Sequence, residues 1–175
     1  MQILQNILYK VGLLAVHGTL ELELSQVDSD SRTVKQNSVF VAVKGTQVDG
    51  HEFIAKAIEL GAIAIVCEVM PEDRVKGVTY VQVKDSHQAL ALLAANFYGN
   101  PSRELKMIGV TGTNGKTTTT TLLHDVFTDL GYKSGLLSTV VNKIGEKEIP
   151  ATHTTPNPIA LNALLREMVD ERCLY

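Results

Sequence analysis

The sequence has little cysteine and no long apolar run. Its two cysteines among 175 residues, Cys67 and Cys173, lack the spacing of a metal site. So few thiols offer no disulfide framework, and we expect a reduced, cytoplasmic protein. No apolar run approaches the roughly 20 residues of a membrane helix, so we expect no insertion into a membrane.

Basic residues are not in excess either. The formal net charge is −3 and the isoelectric point is near 5.9, so we expect no nucleic-acid partner. The first ten residues, MQILQNILYK, lack the positively charged segment and cleavage pattern of a signal peptide. An apolar content of 45% is enough for an ordinary globular core, and the length allows one or two domains.

The strongest signal is the stretch MIGVTGTNGKTTTTT at 107–121. A β-prone run at 106–110 precedes Gly112 and Gly115, and an apolar helical pattern follows the threonines. Glycine allows positive φ and leaves no Cβ between backbone and ligand. Successive N–H groups can then face an anion at the positive end of the following helix. The order of strand, glycine-rich turn, Gly-Lys-Thr and helix predicts a phosphate-binding P-loop.

Two side chains of this loop have predicted roles. Lys116 is the candidate catalytic residue, because its mobile ammonium can meet the β- and γ-phosphates of a nucleotide. Thr117 has a hydroxyl suited to Mg²⁺. The alternative is a glycine-rich turn beside an exposed lysine, but five threonines, each about 0.5 kcal/mol worse than alanine in a helix, favour a ligand. The usual pattern has glycine where this chain has Val110, so the loop is a shortened variant.

A domain boundary is predicted at 99–104, where GNPSRE follows a helical pattern. We expect an α/β fold in which a small α/β domain, 1–100, is followed at 101–175 by the start of a P-loop domain with a parallel sheet. Such a domain needs several parallel strands, and only about seventy residues follow the boundary. We therefore expect the second domain to be truncated.

The P-loop GVTGTNGKTTTT at 109–120 resembles that of the Mur ligase family, whose members build the peptide of bacterial cell-wall precursors. DSR at 30–32, VFVAVKG at 39–45 and DGH at 49–51 resemble the UDP-binding N-terminal domain of that family. HTTPNP at 153–158 resembles the members that add the third residue of the peptide. The resemblance covers the first domain and the start of the second in a three-domain family.

This resemblance implies an ATP-dependent, amide-forming ligase of peptidoglycan biosynthesis. Such an enzyme adds a diamino acid, meso-2,6-diaminopimelate or L-lysine, to UDP-N-acetylmuramoyl-L-alanyl-D-glutamate through an acyl phosphate. It implies ATP and Mg²⁺ at the loop, with ATP bound by Gly112, Thr113, Asn114, Gly115, Lys116, Thr117 and Thr118. It implies substrate contacts from Ser29, Ser31, Thr46, Gln47, Val48, His153, Thr154 and Thr155.

Two features separate this chain from the family pattern. His153 stands where some members have asparagine. The acidic Mg²⁺ ligand, the carbamylated lysine and the domain that selects the amino acid would all lie beyond Tyr175. We therefore do not expect the chain to catalyse ligation by itself.

Other interpretations stay open. DSR and DGH are also typical of plain turns, and Thr154 and Thr155 could merely lead into the last helix. We interpret His51 as structural, and His17, His87 and His124 as surface or half-buried residues without a site role. Two other functions share these motifs: ligation of D-alanyl-D-alanine to the UDP-N-acetylmuramoyl-tripeptide, and non-catalytic binding of a UDP-sugar.

Overall fold

The computed structural model describes residues 1–45, 48–151 and 156–175. The chain forms two compact units, Met1–Phe97 and Tyr98–Tyr175. Within the described ranges, no helix is both long and apolar enough to span a bilayer.

The first unit contains a five-stranded sheet in the order β2-β7-β6-β5-β4. Its strands are β1 (Gln2–Ile3), β2 (Leu13–His17), β3 (Glu23–Leu24), β4 (Gln26–Asp28), β5 (Ser38–Val41), β6 (Ala62–Cys67) and β7 (Thr79–Val83), and its helices are α1 (Leu4–Ile7), α2 (Ile54–Glu59) and α3 (Ser86–Phe97). Short 3-10 turns occupy Ser31–Thr33 and Gly50–Phe53. Strands β4 to β7 are parallel, β2 is antiparallel to β7, and β1 pairs with β3 separately. The carboxyl ends of four parallel strands therefore lie at one edge.

The central strands are buried because helices cover the sheet. Helix α2 packs on β6, and α3 packs on β4, β5 and β6. Phe40 and Ile65 belong to a core cluster that includes Ile54 and Ala57 of α2. This burial explains the nearly continuous apolar run of β6, AIAIVC.

The second unit contains a small antiparallel sheet in the order β10-β9-β8. Its elements are a 3-10 turn (Pro101–Arg103), α4 (Lys116–Asp129), β8 (Gly135–Leu136), β9 (Val141–Ile144), β10 (Lys147–Pro150) and α5 (Pro158–Asp170). The Asn157 side chain caps α5 by accepting from Ala160 N at 2.8 Å, with Pro158 at the first helical position. A core of Leu105, Ile144, Leu165, Met168 and Cys173 joins α5 to the sheet.

The mixed α/β fold with a parallel sheet is confirmed, but the parallel pairing lies in the first unit, whereas the described strands of the second unit, where we expected it, pair antiparallel. Strands β8, β9 and β10 follow one another through short turns, which only antiparallel pairing allows. The predicted strand at 106–110 is wrong: no strand is formed there. Lys106 N donates to Leu174 O at 2.8 Å, but Met107 and Ile108 are 55% and 50% exposed, without the burial expected of a central strand.

Gly61 lies in the turn after α2, where the backbone conformation and the close neighbours favour glycine. Its φ is +112°, and an added Cβ would lie 2.7 Å from the Gln36 side chain. We expect Gly61→Ala to lower the free energy of unfolding by about 1–3 kcal/mol, measured by urea denaturation. Gly12→Ala is the control, because nothing lies within 4 Å of a Cβ there. Equal stability of the two variants would contradict the prediction.

Candidate functional site

The predicted P-loop leads directly into α4. Gly112 and Gly115 have φ of +146° and +79°, and Gly115 immediately precedes the first helical residue. Thr119 N donates to Gly115 O at 2.9 Å. The N–H groups of residues 116–118 therefore belong to the open first turn of the helix. That turn has no side-chain cap and no acidic residue, so its positive end is suited to an anion.

The Lys116 side chain folds back over this loop. Its ammonium donates to the carbonyl oxygens of Gly112 and of Thr113, the latter at 3.2 Å. Because the ammonium is a compact charge on a flexible stem, a small rotation would turn it from these carbonyls to a phosphate on the same loop. The geometry fits the predicted role of Lys116.

The loop opens into a cleft of about 610 Å³, within the roughly 300–1,000 Å³ of small-molecule sites. The cleft brings together most of the residues predicted to bind ATP: Thr113, Asn114, Gly115, Lys116, Thr117 and Thr118 line it. Gly112 lies in the same loop. Additional lining residues come from beyond α4 and include Leu137, Ser138, Thr139, Asn142, Pro156 and Leu161.

Sequence reasoning missed the polar part of that additional lining. Ser138 N donates to Asn142 Oδ1 at 3.3 Å, and Ser138 Oγ donates to Val141 O at 2.6 Å. Asn142 is only 6% exposed, so it fixes the segment that carries Ser138 and Thr139. The polar pair Ser138-Thr139, directly after the apolar Leu136 and Leu137, was the available signal.

The cleft offers only part of a magnesium site. Among the residues described, no group of three or more His, Cys, Asp or Glu side chains could hold a metal ion. Thr117 lines the cleft, and its hydroxyl is a hard oxygen donor of the kind Mg²⁺ accepts. Mg²⁺ commonly binds through one or two protein ligands plus substrate phosphates, so this donor fits a metal shared with a nucleotide.

Two predicted substrate segments lie at the carboxyl edge of the first sheet. Ser29 and Ser31 follow β4, and Val48 lies in the segment after the neighbouring strand β5. Open parallel sheets bind ligands at this edge. Val48 is 54% exposed, so its side chain is accessible.

The DSR segment is held in shape by two carboxylates. Asp28 is buried and accepts from Gln26 Nε2 at 2.7 Å and from Thr33 Oγ1 at 3.0 Å. Asp30 accepts from the guanidinium and backbone N–H of Arg32, and the guanidinium contact is the larger cause that lowers the pKa of Asp30. Ser31 is therefore placed by a fixed turn.

The remaining predicted substrate residues cannot be placed in this way. Thr46, Gln47, His153, Thr154 and Thr155 lie outside the described residues. Of the predicted substrate contacts, the structure places Ser29, Ser31 and Val48.

His124 is buried, so its interpretation as a surface or half-buried residue is wrong. It is 7% exposed, and its Nδ1 lies 2.7 Å from Ser134 Oγ. Thr128 Oγ1 donates to His124 O at 2.9 Å. Burial, and then the charge of Lys143, lowers the pKa of His124. The contact between His124 and Ser134 joins α4 to the residue before β8.

Two family-level comparisons match most of the chain between them. The Mur ligase family catalytic domain matches residues 23–98, and the Mur ligase middle domain matches residues 110–175. The second match begins at Val110, within the P-loop, and includes α4 and the cleft. The chain belongs to the Mur ligase family.

Curated relatives carry the name UDP-N-acetylmuramoyl-L-alanyl-D-glutamate–2,6-diaminopimelate ligase. The one from Cytophaga hutchinsonii is 52% identical over 173 residues, which is 98% of this chain and 36% of the relative. Those from Bacteroides thetaiotaomicron and Clostridium tetani are 50% and 42% identical, over 99% and 98% of this chain and 36% of each relative. The chain thus spans about a third of the length of these relatives.

Solved structures share the fold. A structure of a UDP-N-acetylmuramoyl-L-alanyl-D-glutamate–2,6-diaminopimelate ligase matches with a TM-score of 0.77 and 22% identity, over 98% of this chain and 34% of that one. The MurF ligase from Thermotoga maritima in complex with ADP matches with a TM-score of 0.55 and 30% identity, over 78% of this chain and 28% of that one.

The buried His124 gives a testable pH dependence. Because its pKa is lowered from 6.5 in the folded chain, the unfolded chain takes up the proton first as the pH falls. The stability contribution is therefore present above pH 6.5 and is lost as the pH falls through the folded pKa. We expect His124→Asn to reduce this loss, measured by urea unfolding at about pH 7.5 and 5.5.

The control variant is His17→Asn, at an exposed position on β2. It should keep the pH dependence of the unchanged chain. If His124→Asn lost as much stability at acid pH as the unchanged chain, the assigned role of His124 would be contradicted.

Proposed function

We propose that this chain supplies the uridine-nucleotide-binding unit and the ATP-binding loop of a cytoplasmic, ATP-dependent ligase of peptidoglycan biosynthesis. The observation that carries the proposal is the uncapped first turn of α4, with Lys116 beside it in a cleft of nucleotide size. Membership of the Mur ligase family supports the class of reaction.

The proposed substrates are UDP-N-acetylmuramoyl-L-alanyl-D-glutamate and meso-2,6-diaminopimelate, because the curated relatives are named for them. The first unit would bind the uridine nucleotide through Ser29, Ser31 and Val48, at the carboxyl edge of its sheet. By motif position, the further contacts we propose are Thr46 and Gln47 for the nucleotide, and His153, Thr154 and Thr155 for the muramoyl-dipeptide.

In the proposed reaction, a γ-carboxylate oxygen of D-glutamate attacks the γ-phosphorus of ATP, and ADP leaves with the bridging oxygen. The diamino acid's amine then attacks the acyl carbon, phosphate leaves, and the nitrogen loses a proton. Phosphoryl transfer depends mainly on positioning and charge. Here the N–H groups of residues 116–118 and the Lys116 ammonium would stabilise the phosphate oxygens. Mg²⁺ neutralises phosphate charge when bound, and Thr117 would be its ligand.

Removing the Lys116 ammonium tests the nucleotide site directly. We expect Lys116→Ala to weaken Mg-ATP binding by the 175-residue chain about tenfold or more, because hydrogen bonds to charged groups contribute about 1.5–3 kcal/mol. The measurement is isothermal titration calorimetry. Lys147→Ala is the matched control, because that lysine pairs with Glu167 on the surface of the same unit. Equal affinity of the two variants would contradict the assignment.

The ligase activity can be tested in a chimera. This chain would replace the matching segment of the Cytophaga hutchinsonii relative, and ADP release would be measured with both proposed substrates. We expect activity that depends on diaminopimelate and that falls about 100-fold or more with Lys116→Ala. A chimera that folds and binds ATP but shows no ligation, beside an active parent, would overturn the proposal.

A further inference from the structure

Backbone contacts bring together the two ends of the segment that follows β5. Lys44 and Asp49 form an isolated antiparallel bridge. Gly50 N donates to Val43 O at 2.9 Å, and a Cβ on Gly50 would lie 2.6 Å from that oxygen. The two ends of this segment, Lys44 and Asp49, therefore lie next to each other, and we call the described residues 44–45 and 48–49 the β5 turn.

His51 connects the end of the β5 turn to the next strand. Asp49 Oδ1 accepts from His51 N at 3.0 Å and pairs with ring Nδ1 at 2.6 Å. Ring Nε2 accepts from the N–H groups of Glu68 and Val69, at 2.9 and 3.2 Å, directly after β6. Because Nε2 accepts these two bonds, Nδ1 is the ring nitrogen that donates to Asp49. The backbone and then the ring N–H of His51 lower the pKa of Asp49.

Glu68 connects this histidine to the start of α3. Its Oε1 accepts from Ser86 Oγ at 2.7 Å and from Ser86 N at 2.8 Å. Ser86 is fully buried, and its Oγ accepts in turn from Lys44 N at 3.3 Å. The hydroxyl and then the backbone N–H of Ser86 lower the pKa of Glu68, so the carboxylate is charged near neutral pH.

These contacts form a closed ring, which we call the Glu68 ring: Lys44, Ser86, Glu68, His51 and Asp49. Its members follow β5, β6 and β7, at the carboxyl edge where open parallel sheets bind ligands. The ring joins the two ends of the β5 turn to the residue after β6 and to the start of α3. The turn also carries Val48, one of the proposed uridine contacts.

We propose that Glu68 and His51 are positioning residues, which hold the β5 turn in the conformation that binds the uridine nucleotide. The inference rests on the proposed uridine-binding role of the first unit. It implies that the ring increases the affinity for the uridine nucleotide, although none of its side chains needs to touch the nucleotide. Ser86 is buried and the His51 side chain is 15% exposed, and hydrogen bonds that are shielded from water restrain the segments that they join.

The competing explanation is that the ring only stabilises the N-terminus of α3. In that case, breaking it would lower stability without changing the affinity of the folded chain. A substitution of Asp85, the residue next to Ser86, separates the two explanations. Asp85 Oδ1 caps the same helix by accepting from Gln88 N at 2.9 Å, but Asp85 is not a member of the ring.

The experiment compares Ser86→Ala, Glu68→Ala and Asp85→Ala in the 175-residue chain. UDP binding is measured by calorimetry at a temperature at which circular dichroism shows each variant folded. We expect Ser86→Ala and Glu68→Ala each to weaken UDP binding about fivefold or more, because each leaves a ring member without its partner. Asp85→Ala loses a helix cap and stability, but its UDP affinity should stay within about twofold.

The double variant Ser86→Ala/Glu68→Ala adds a second criterion. Both substitutions break the same contact, so the pair should weaken UDP binding no more than the stronger single variant. Unchanged affinity in both single variants, or an equal loss in Asp85→Ala, overturns the inference. If the unchanged chain binds no UDP, the proposed function of the first unit fails and the inference fails with it.

Discussion

Parallel pairing of β4, β5, β6 and β7 is the constraint on which the first unit depends. It places the carboxyl ends of four strands at one edge, so that segments far apart in sequence become neighbours. The DSR segment follows β4, the β5 turn follows β5, and Glu68 follows β6. Burial of the central strands by α2 and α3 makes their register costly to change, since a shift would expose core residues such as Phe40. The apolar packing of the strands therefore fixes the positions of the polar segments at the edge of the sheet.

The second unit depends on a different feature, the open end of α4. Five threonines and two glycines make a poor helix start by intrinsic propensity, and the local sequence favours a ligand over helix stability. Contacts further along compensate. His124 bonds to Ser134, and Tyr175 stacks on Phe127 with ring centroids 3.9 Å apart. These contacts hold the helix without occupying its first turn.

The features that sequence predicted well have local causes. The apolar run of β6 and the adjacent cap residues Asn157 and Pro158 at the start of α5 are signals of the same local kind. The loop conformation at Gly112 and Gly115 follows from glycine itself. The misses have non-local causes. Burial of His124 depends on Ser134, and strand formation at 106–110 depends on partners that no local pattern specifies.

The Glu68 ring shows the same limit at the candidate site. The DGH motif marked His51 as structural, but its ring nitrogen meets Glu68, and Glu68 meets Ser86, through contacts between residues 17 and 18 positions apart. Only the sheet brings these groups together.

The two units thus treat polar groups in opposite ways. In the first unit the Glu68 ring pairs them internally, at the edge where we propose that the uridine nucleotide binds. In the second unit the N–H groups at the start of α4 are left without side-chain caps, which suits a phosphate. A nucleotide's base and sugar need shape, whereas its phosphates need donors, and each unit provides the property that fits its proposed ligand group.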